Sequence, residues 1–174
     1  MTRKCPDSKD IMLIKMLSED GRLSLTELAR RMNMSHSSIR ERLNDLTSAS
    51  IIKIQANVNI SLLGYKIAFI NLEVKDYNEV ARILSLCDVC PRVLFAGVGT
   101  GEYNVFIIMA AKSIDTLREI IEKAFRSSPY VSRINVAFGE LKIPRFVPLR
   151  AKCNKECFCE EKICEKCEFL LERE

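Results

Sequence analysis

The segment Leu25–Asn44 constrains the fold more than any other part of the chain. Ala29, Asn33 and Ile39 stand there at the spacing required by two short helices that cross closely through a tight turn. A small residue is needed where the second helix crosses the first, and a residue that tolerates positive φ is needed in the turn. The second helix then needs an apolar anchor. The spacing therefore predicts a helix-turn-helix, with an ordinary helical hairpin as the alternative.

Three helices are predicted before the pattern changes. The first runs from about Asp7 to Glu19, the second follows the N-cap Ser24 with Glu27 completing a capping box, and the third runs from the N-cap Ser35 to about Thr47. Their apolar residues recur with helical periodicity. The residues expected to face the core are Ile11, Ile14 and Leu17 in the first helix, Leu28, Ala29 and Met32 in the second, and Ile39, Leu43 and Leu46 in the third.

The third helix is the predicted DNA-reading element. With its apolar stripe turned inward, Ser37 points outward and Arg40 lies on a flank. A recognition helix contacts base edges through its N-terminal turn, and the free N–H groups of that turn favour phosphate. We expect base contacts from Ser37 and Arg40, and phosphate contacts from Ser35, Ser38 and Arg31.

Two further residues of this helix have two interpretations each. His36, the single histidine of the chain, is either a DNA contact or an exposed residue at the helix start. Arg42 lies near the core edge and is either a phosphate contact or part of a salt bridge that braces the helix. Both stay in the predicted DNA-binding set. The net charge of +4 is compatible with nucleic acid but does not by itself indicate it.

The pattern then changes to that of an α+β domain. Residues 51–60 alternate apolar and polar and predict a strand, and the turn Ser61–Gly64 places a domain boundary near residue 62. Residues 62–148 follow the order strand, helix, strand, strand, helix, strand of a ferredoxin-like plait. The predicted elements are Lys66–Val74, Tyr77–Leu86, Arg92–Val98, Tyr103–Ala111, Ile114–Arg126 and Val131–Phe138.

The predicted sheet carries helices on one face only. Its other face must be covered, and a second copy of the chain is the simplest cover. The expected organisation is therefore a winged-helix-like reader at 1–61, a dimerisation plait at 62–148 and a tail at 149–174.

The N-terminal motif resembles a known family. Asp20-Gly21-Arg22, Glu27-Leu28-Ala29, Ser35, Arg42 and Leu46 match the helix-turn-helix signature of the leucine-responsive/AsnC (Lrp/AsnC) transcription regulators. Residues 66–138 resemble the plait of that family. The resemblance implies sequence-specific binding to semi-palindromic double-stranded DNA, dimers joined through their sheets, and often rings of dimers.

The resemblance also implies a small effector, commonly an amino acid, at the loop between the second and third plait strands. The family pattern is glycine, any residue, tyrosine, aspartate, and here Asn104 replaces the aspartate. This removes a partner for an ammonium group, although Glu102 could compensate. A plain hairpin turn, in which glycines only supply positive φ, is the alternative. The candidate effector-binding residues are Gly99, Thr100, Gly101, Glu102, Tyr103 and Asn104.

Five of the eight cysteines lie in the tail. Thiolates suit zinc and other thiophilic metals, and four of them can close a tetrahedral site. A reduced tail and a disulfide staple are the alternatives. Some archaeal members of the family carry cysteine-rich metal-sensing tails, which this one resembles in placement. The candidate ligands are Cys153, Cys157, Cys159, Cys164 and Cys167, with Cys87 and Cys90 as a weaker pair.

Other classes of protein fit the sequence less well. No apolar run reaches the roughly 20 residues of a membrane-spanning helix, and the start lacks the apolar core of a signal peptide, so we expect a cytoplasmic protein. An Lrp-like haem-pathway decarboxylase would need acid/base groups in the plait, usually including a histidine, and the chain has no histidine outside His36. A metal-binding interaction protein with a vestigial helix-turn-helix is the other alternative. We expect a regulator and no enzyme.

Overall fold

The computed structural model describes residues 5–148. Within them the chain forms two compact units, the first ending at Gln55 and the second beginning at Ala56. The division precedes the predicted boundary near residue 62 because the short strand β1, Asn57–Val58, pairs with β6, Val147–Pro148, in the second unit. No helix in the described part is long and apolar enough to cross a membrane.

The first unit consists of three helices. They are α1 (Ser8–Glu19), α2 (Leu25–Met32) and α3 (His36–Ser48). Each begins directly after a residue whose side chain accepts hydrogen bonds from the first turn, and this confirms the predicted helix starts. The capping residues are Asp7, Ser24 and Ser35. The core of the unit consists of Leu13, Leu28, Ala29, Ile39 and Leu46, all at most 5% exposed.

Two details of the helical unit differ from the prediction. Ile11 is 45% exposed, whereas Leu13 is fully buried. The two residues lie about 200° apart around the helix, so burial of Leu13 turns Ile11 outward. Glu27 does not complete a capping box. Ser24 accepts from the Glu27 backbone at 3.1 Å, but the Glu27 carboxylate binds two arginines, Arg30 and Arg31.

The predicted strand at 51–60 is wrong except for Asn57–Val58. The backbone N–H groups of Ile51 and Ile52 donate to Leu46 O at 2.9 and 3.3 Å and thereby close α3. Ile52 packs against the helical core, while Ile60 belongs to a cluster in the second unit. The alternating apolar residues of this segment therefore pack into two separate cores and do not form one face of a strand.

The second unit is the predicted plait. Its elements are β2 (Lys66–Val74), α4 (Tyr77–Val89), β3 (Val93–Val98), β4 (Val105–Ala111), α5 (Ile114–Ile121, continued by a π-helical turn at Glu122–Arg126) and β5 (Val131–Gly139). The four long strands form an antiparallel sheet in the order β3-β4-β2-β5.

The sheet separates two apolar clusters. On one face Ile70, Leu72, Ile107 and other buried strand residues pack against α4 and α5. On the opposite face, here called the open face, residues 60, 65 and 147 cover only one end. The remainder of the open face carries alternating strand residues that no helix of the unit covers, as the sequence predicts for a plait.

Candidate DNA-binding site

The turn between α2 and α3 has the predicted geometry. Asn33 adopts φ 49° and ψ 51°, the left-handed conformation that asparagine tolerates better than most residues. Its N–H donates to Arg30 O at 3.3 Å, and the N–H of Met34 donates to Ala29 O at 3.0 Å. Ala29 is 5% exposed, as required of the small residue at the crossing.

Helix α3 is anchored on one side and exposed on the other. Ile39 is fully buried and Leu46 is 3% exposed, which confirms the predicted stripe, and Leu43 packs partly against the same core. The side chains at positions 35, 36, 37 and 40 are exposed, and Ser38 is half-buried. Polar groups at the start of α3 are therefore accessible.

A cluster of three serine hydroxyls lies at the N-terminus of α3. Ser35 Oγ accepts from the Ser38 backbone N–H at 3.2 Å and lies 2.9 Å from Ser37 Oγ and 2.8 Å from Ser38 Oγ. Hydroxyls both donate and accept, and the N-terminal end of a helix carries partial positive charge. This arrangement can bind a phosphate oxygen or a base edge.

Arg31 belongs to a small ion-pair network on α2. Its Nε lies 2.6 Å from Glu27 Oε1, and Arg30 contacts both oxygens of the same carboxylate at 2.7 and 3.0 Å. Hydrogen bonds from Arg30 and Arg31 lower the pKa of Glu27 to about 2. Arg31 remains 46% exposed and uses only Nε for this contact, so its terminal nitrogens can donate to a phosphate.

Arg42 forms the salt bridge that the sequence left as one of two interpretations. Its Nη1 lies 2.9 Å from Asp7 Oδ2 and 2.6 Å from Asp10 Oδ1, and its side chain is 25% exposed. A backbone hydrogen bond from Asp10 and a side-chain hydrogen bond from Arg42 hold the pKa of Asp7 below its usual value. Sequence reasoning missed both aspartates, although Asp-x-x-Asp before an apolar run resembles a capping box.

The candidate effector loop is tied to the plait through Asn104. Its Oδ1 accepts from Val74 N–H at 2.9 Å and its Nδ2 donates to Val74 O at 2.7 Å. Its backbone N–H donates to Leu72 O, and its carbonyl accepts from Gly99 N–H. Asn104 therefore extends the β2–β4 pairing with its side chain. Both polar atoms of that side chain are bonded to Val74 and are not available to a ligand.

Glu102 and the two glycines of the loop also have roles within the fold. Glu102 forms an ion pair with Arg133, whose Nε lies 3.4 Å from Glu73 Oε2. Gly101 has φ 127° and supplies the positive φ of the turn. Gly99 has a different role, because a Cβ there would lie 2.7 Å from Phe106 Cε2. Glycine at 99 thus allows an aromatic ring to lie against the backbone.

The predicted metal ligands at 153, 157, 159, 164 and 167 lie outside the described residues. Within residues 5–148, no group of three or more His, Cys, Asp or Glu is placed to hold a metal ion. Cys87 and Cys90 are 2% and 0% exposed at the end of α4 and belong to the main core of the second unit.

Residues 6–53 match a family model described as winged helix-turn-helix DNA-binding. An uncharacterised HTH-type transcriptional regulator of Pyrococcus horikoshii is 33% identical over 120 residues, which cover 67% of this chain and 75% of that protein. The similarity to this relative therefore extends well beyond the residues that match the helix-turn-helix model.

Solved structures agree with this similarity. A Pyrococcus furiosus transcriptional regulatory protein, a member of the AsnC family, matches with a TM-score of 0.55 and 25% identity over 79% of this chain and 92% of that one. A transcriptional regulator of Neisseria meningitidis, solved as a complex with L-Met, has a similar fold, with a TM-score of 0.62 and 24% identity over 79% of this chain and 91% of that one. The chain thus belongs to the Lrp/AsnC family of helix-turn-helix proteins and is a DNA-binding transcription regulator.

Proposed function

We propose that α3 enters the major groove and that its first turns read the operator. The observation that carries this proposal is the division of α3 into a buried side with Ile39 and Leu46 and an exposed side with Ser37 and Arg40. Arginine recognises guanine through paired hydrogen bonds, and a serine hydroxyl can form hydrogen bonds with the edges of several different bases. His36 stands exposed in the same N-terminal turn and is a third candidate for base contact.

Phosphate contacts flank this reading surface. Ser35 and Ser38 present hydroxyls at the positive end of α3, and Arg31 offers its terminal nitrogens from α2. These contacts fix the register of the protein on DNA, whereas the base contacts select the sequence. Because a regulator of this kind acts on the genome, we propose a cytoplasmic location.

Selection of bound DNA from a random pool tests the reading surface. The wild-type protein should enrich a semi-palindromic sequence, and Arg40→Ala should lose preference at one base position in each half-site. Arg126→Ala removes an exposed arginine from the second unit and serves as the matched control. An unchanged sequence preference in Arg40→Ala would exclude Arg40 from base reading.

A homodimer joined through the open face completes the proposed regulator. Phe69, Phe106 and Ile108 lie half-buried on that face, and Gly99 and Gly139 let two of the rings lie close to the backbone. Contiguous apolar surface that the chain itself leaves uncovered marks an interaction site, which supports a partner on this face. Two copies related by a two-fold axis also suit a semi-palindromic operator, and dimers can assemble further into rings.

Sedimentation velocity tests the dimer. Phe106→Glu places a charge on the open face and should yield monomers, because an unpaired charge is costly to bury in an apolar interface. Phe138→Glu is the matched control, since Phe138 lies on the helix-covered face of the same sheet at 37% exposure. Dimers that persist in Phe106→Glu would argue against this interface.

The loop Gly99–Asn104 is the proposed effector site. The Neisseria regulator with a related fold was solved with L-Met, which supports an amino acid as the first candidate. Asn104 is not available to bind an ammonium group, because both polar atoms of its side chain are bonded to Val74. Glu102 is the remaining candidate, and it would have to exchange its ion pair with Arg133 for the ligand. Thermal unfolding with each L-amino acid tests this, with Glu102→Gln as the variant expected to lose any stabilisation. An absence of stabilisation at millimolar concentrations of every amino acid would contradict amino-acid binding.

The cysteine-rich tail is the proposed site of a thiophilic metal such as zinc. Its five cysteines supply enough thiolates for a tetrahedral site. Metal analysis of full-length protein purified without added zinc should give about one equivalent per chain, and a Cys→Ser variant at all five positions should give none. Less than about half an equivalent in the wild-type protein would count against a structural four-thiolate site.

A further inference from the structure

We infer that Asp7 and Asp10 are positioning residues for DNA recognition, because they hold Arg42 and thereby fix the rotation of α3 about its own axis. These three residues are here called the clasp. The inference rests on the proposed role of α3 in reading DNA. In this role neither aspartate contacts DNA, and both affect recognition only through Arg42.

The clasp is compact and only partly exposed. A single nitrogen of Arg42 contacts a carboxylate oxygen of each aspartate, at 2.9 Å for Asp7 and 2.6 Å for Asp10. The side chain of Asp10 is 15% exposed, that of Arg42 25% and that of Asp7 48%. Partial burial limits screening by water and salt at the contact between Arg42 and Asp10, whereas the contact with Asp7 is more open to solvent.

The two carboxylates are themselves fixed in place. Asp7 Oδ1 accepts from the backbone N–H groups of Lys9 and Asp10, both at 2.8 Å, and Asp7 N–H donates to Asp10 Oδ2 at 3.0 Å. This reciprocal capping box begins α1, which is held in the core by the fully buried Leu13. Arg42 therefore binds acceptors that cannot shift without opening the first turn of α1.

The position of the clasp on α3 explains what it restrains. At about 100° per residue, Arg42 lies about 60° to one side of Ile39, and Arg40 lies about 100° to the other side. The buried side of α3 consists of Ile39 and Leu46, with Leu43 partly packed beside them. An ion pair at Arg42, to one side of these residues, opposes rotation of the helix about its axis.

A small roll would be enough to disturb recognition. Side chains extend about 5–6 Å from the helix axis, so a roll of about 10° moves their ends by about 1 Å. Hydrogen bonds keep good geometry only within about 0.5 Å. Loss of the clasp would therefore misalign Ser37 and Arg40 with base edges, while phosphate contacts, which have looser geometry, would largely remain.

The sign of the effect separates positioning from simple electrostatics. An aspartate near DNA repels phosphate, so its neutralisation alone should strengthen binding. Positioning predicts the opposite for the operator. It also predicts that Arg42→Gln leaves the salt dependence of binding unchanged, whereas loss of a true phosphate contact reduces the magnitude of the negative slope of log K against log salt by about 0.9 per contact.

The experiment uses the full-length protein with its selected operator and a scrambled duplex at several salt concentrations. Asp7→Asn/Asp10→Asn should weaken operator binding about tenfold, the loss expected when one bidentate base contact is misaligned, and should leave scrambled-DNA binding equal or stronger. Asp45→Asn is the matched control, because Asp45 is exposed on α3 outside the clasp. It removes a negative charge from α3 and should not weaken operator binding.

A pair of milder variants covers the case in which the double variant does not fold, because both leave the capping box of α1 intact. Arg42→Lys keeps the positive charge at position 42 and should keep much of the operator affinity, whereas Arg42→Gln should weaken it. Operator affinity that is unchanged or increased in folded Asp7→Asn/Asp10→Asn, or a lowered salt slope in Arg42→Gln, would overturn the clasp. If the wild-type chain showed no operator preference, the failure would lie in the proposed reading role instead.

Discussion

At the scale of single residues, backbone conformation sets the sharpest requirement at Ser50. It follows the C-cap of α3 with φ 56°, and its N–H donates to Thr47 O at 3.0 Å. Glycine usually fills this position because a Cβ makes the left-handed conformation costly by roughly 1 kcal/mol. Ser50→Gly should therefore raise the free energy of unfolding by about 0.5–1 kcal/mol in urea titrations.

Ser48 provides the control for that substitution. It is the last helical residue of α3, so Ser48→Gly relieves no left-handed conformation and should destabilise the protein. Equal effects of the two substitutions would show that the left-handed conformation of Ser50 does not strain the chain.

Protonation of Glu27 should make the free energy of unfolding depend on pH. Its pKa in the folded protein is about 2, below the usual 4.5, because Arg30 and Arg31 bind the ionised form. A lowered carboxyl pKa gives stabilisation that is fully present above pH about 4.5 and is lost as pH falls through about 2. The difference in unfolding free energy between wild type and Glu27→Gln should therefore be largest near pH 6 and shrink below pH 4.5. A difference that stays constant down to pH 2 would contradict this account.

At the scale of secondary-structure elements, Asn104 joins the end of β2 to the start of β4. An ionised aspartate could still accept from Val74 N–H but would face Val74 O without a proton to donate. Asn104→Asp should lower the free energy of unfolding by about 1–3 kcal/mol, as an unsatisfied, part-buried acceptor does. Asn135→Asp on β5 is the control, since Asn135 is exposed and accepts one long hydrogen bond of 3.4 Å from Asn71. Equal losses in the two variants would argue against the Val74 contact.

The helix-turn-helix and the order of the plait elements were predictable from local patterns, whereas the segment between α3 and the plait was not. Ala29, Asn33 and Ile39 follow rules that operate within one turn or one helix, and the structure places each as expected. The strand predicted at 51–60 failed because its real pairing partner lies at 147–148, and alternation alone does not reveal a partner.

The same distinction applies to the candidate site. The sequence marks Arg42 as a residue at the core edge, but its partner Asp7 is 35 positions away, so only the packing of α1 on α3 reveals the contact. Asn104 was identified by its departure from the family pattern. Its hydrogen bonds to Val74 depend on the position of β2 and could not be inferred from the loop itself.

At the scale of the whole molecule, the proposed dimer and the proposed phosphate contacts make a joint prediction about salt. Each phosphate contact adds about 0.9 to the magnitude of the negative slope of log K against log salt, because binding releases condensed counterions. A dimer that carries Arg31 twice should lose about 1.8 from this slope in Arg31→Gln. The monomer formed by Phe106→Glu should lose only about 0.9 from the same substitution.

Fluorescence anisotropy with labelled operator and half-operator duplexes measures these slopes. Lys53→Gln is the charge-matched control in the same unit, since Lys53 is exposed and outside the proposed contact set. A loss near 0.9 in both the dimer and the monomer would mean that one subunit alone supplies the Arg31 contact, in conflict with a two-fold complex. No loss in either would remove Arg31 from the phosphate-binding surface and leave the serine hydroxyls of α3 as its only proposed members.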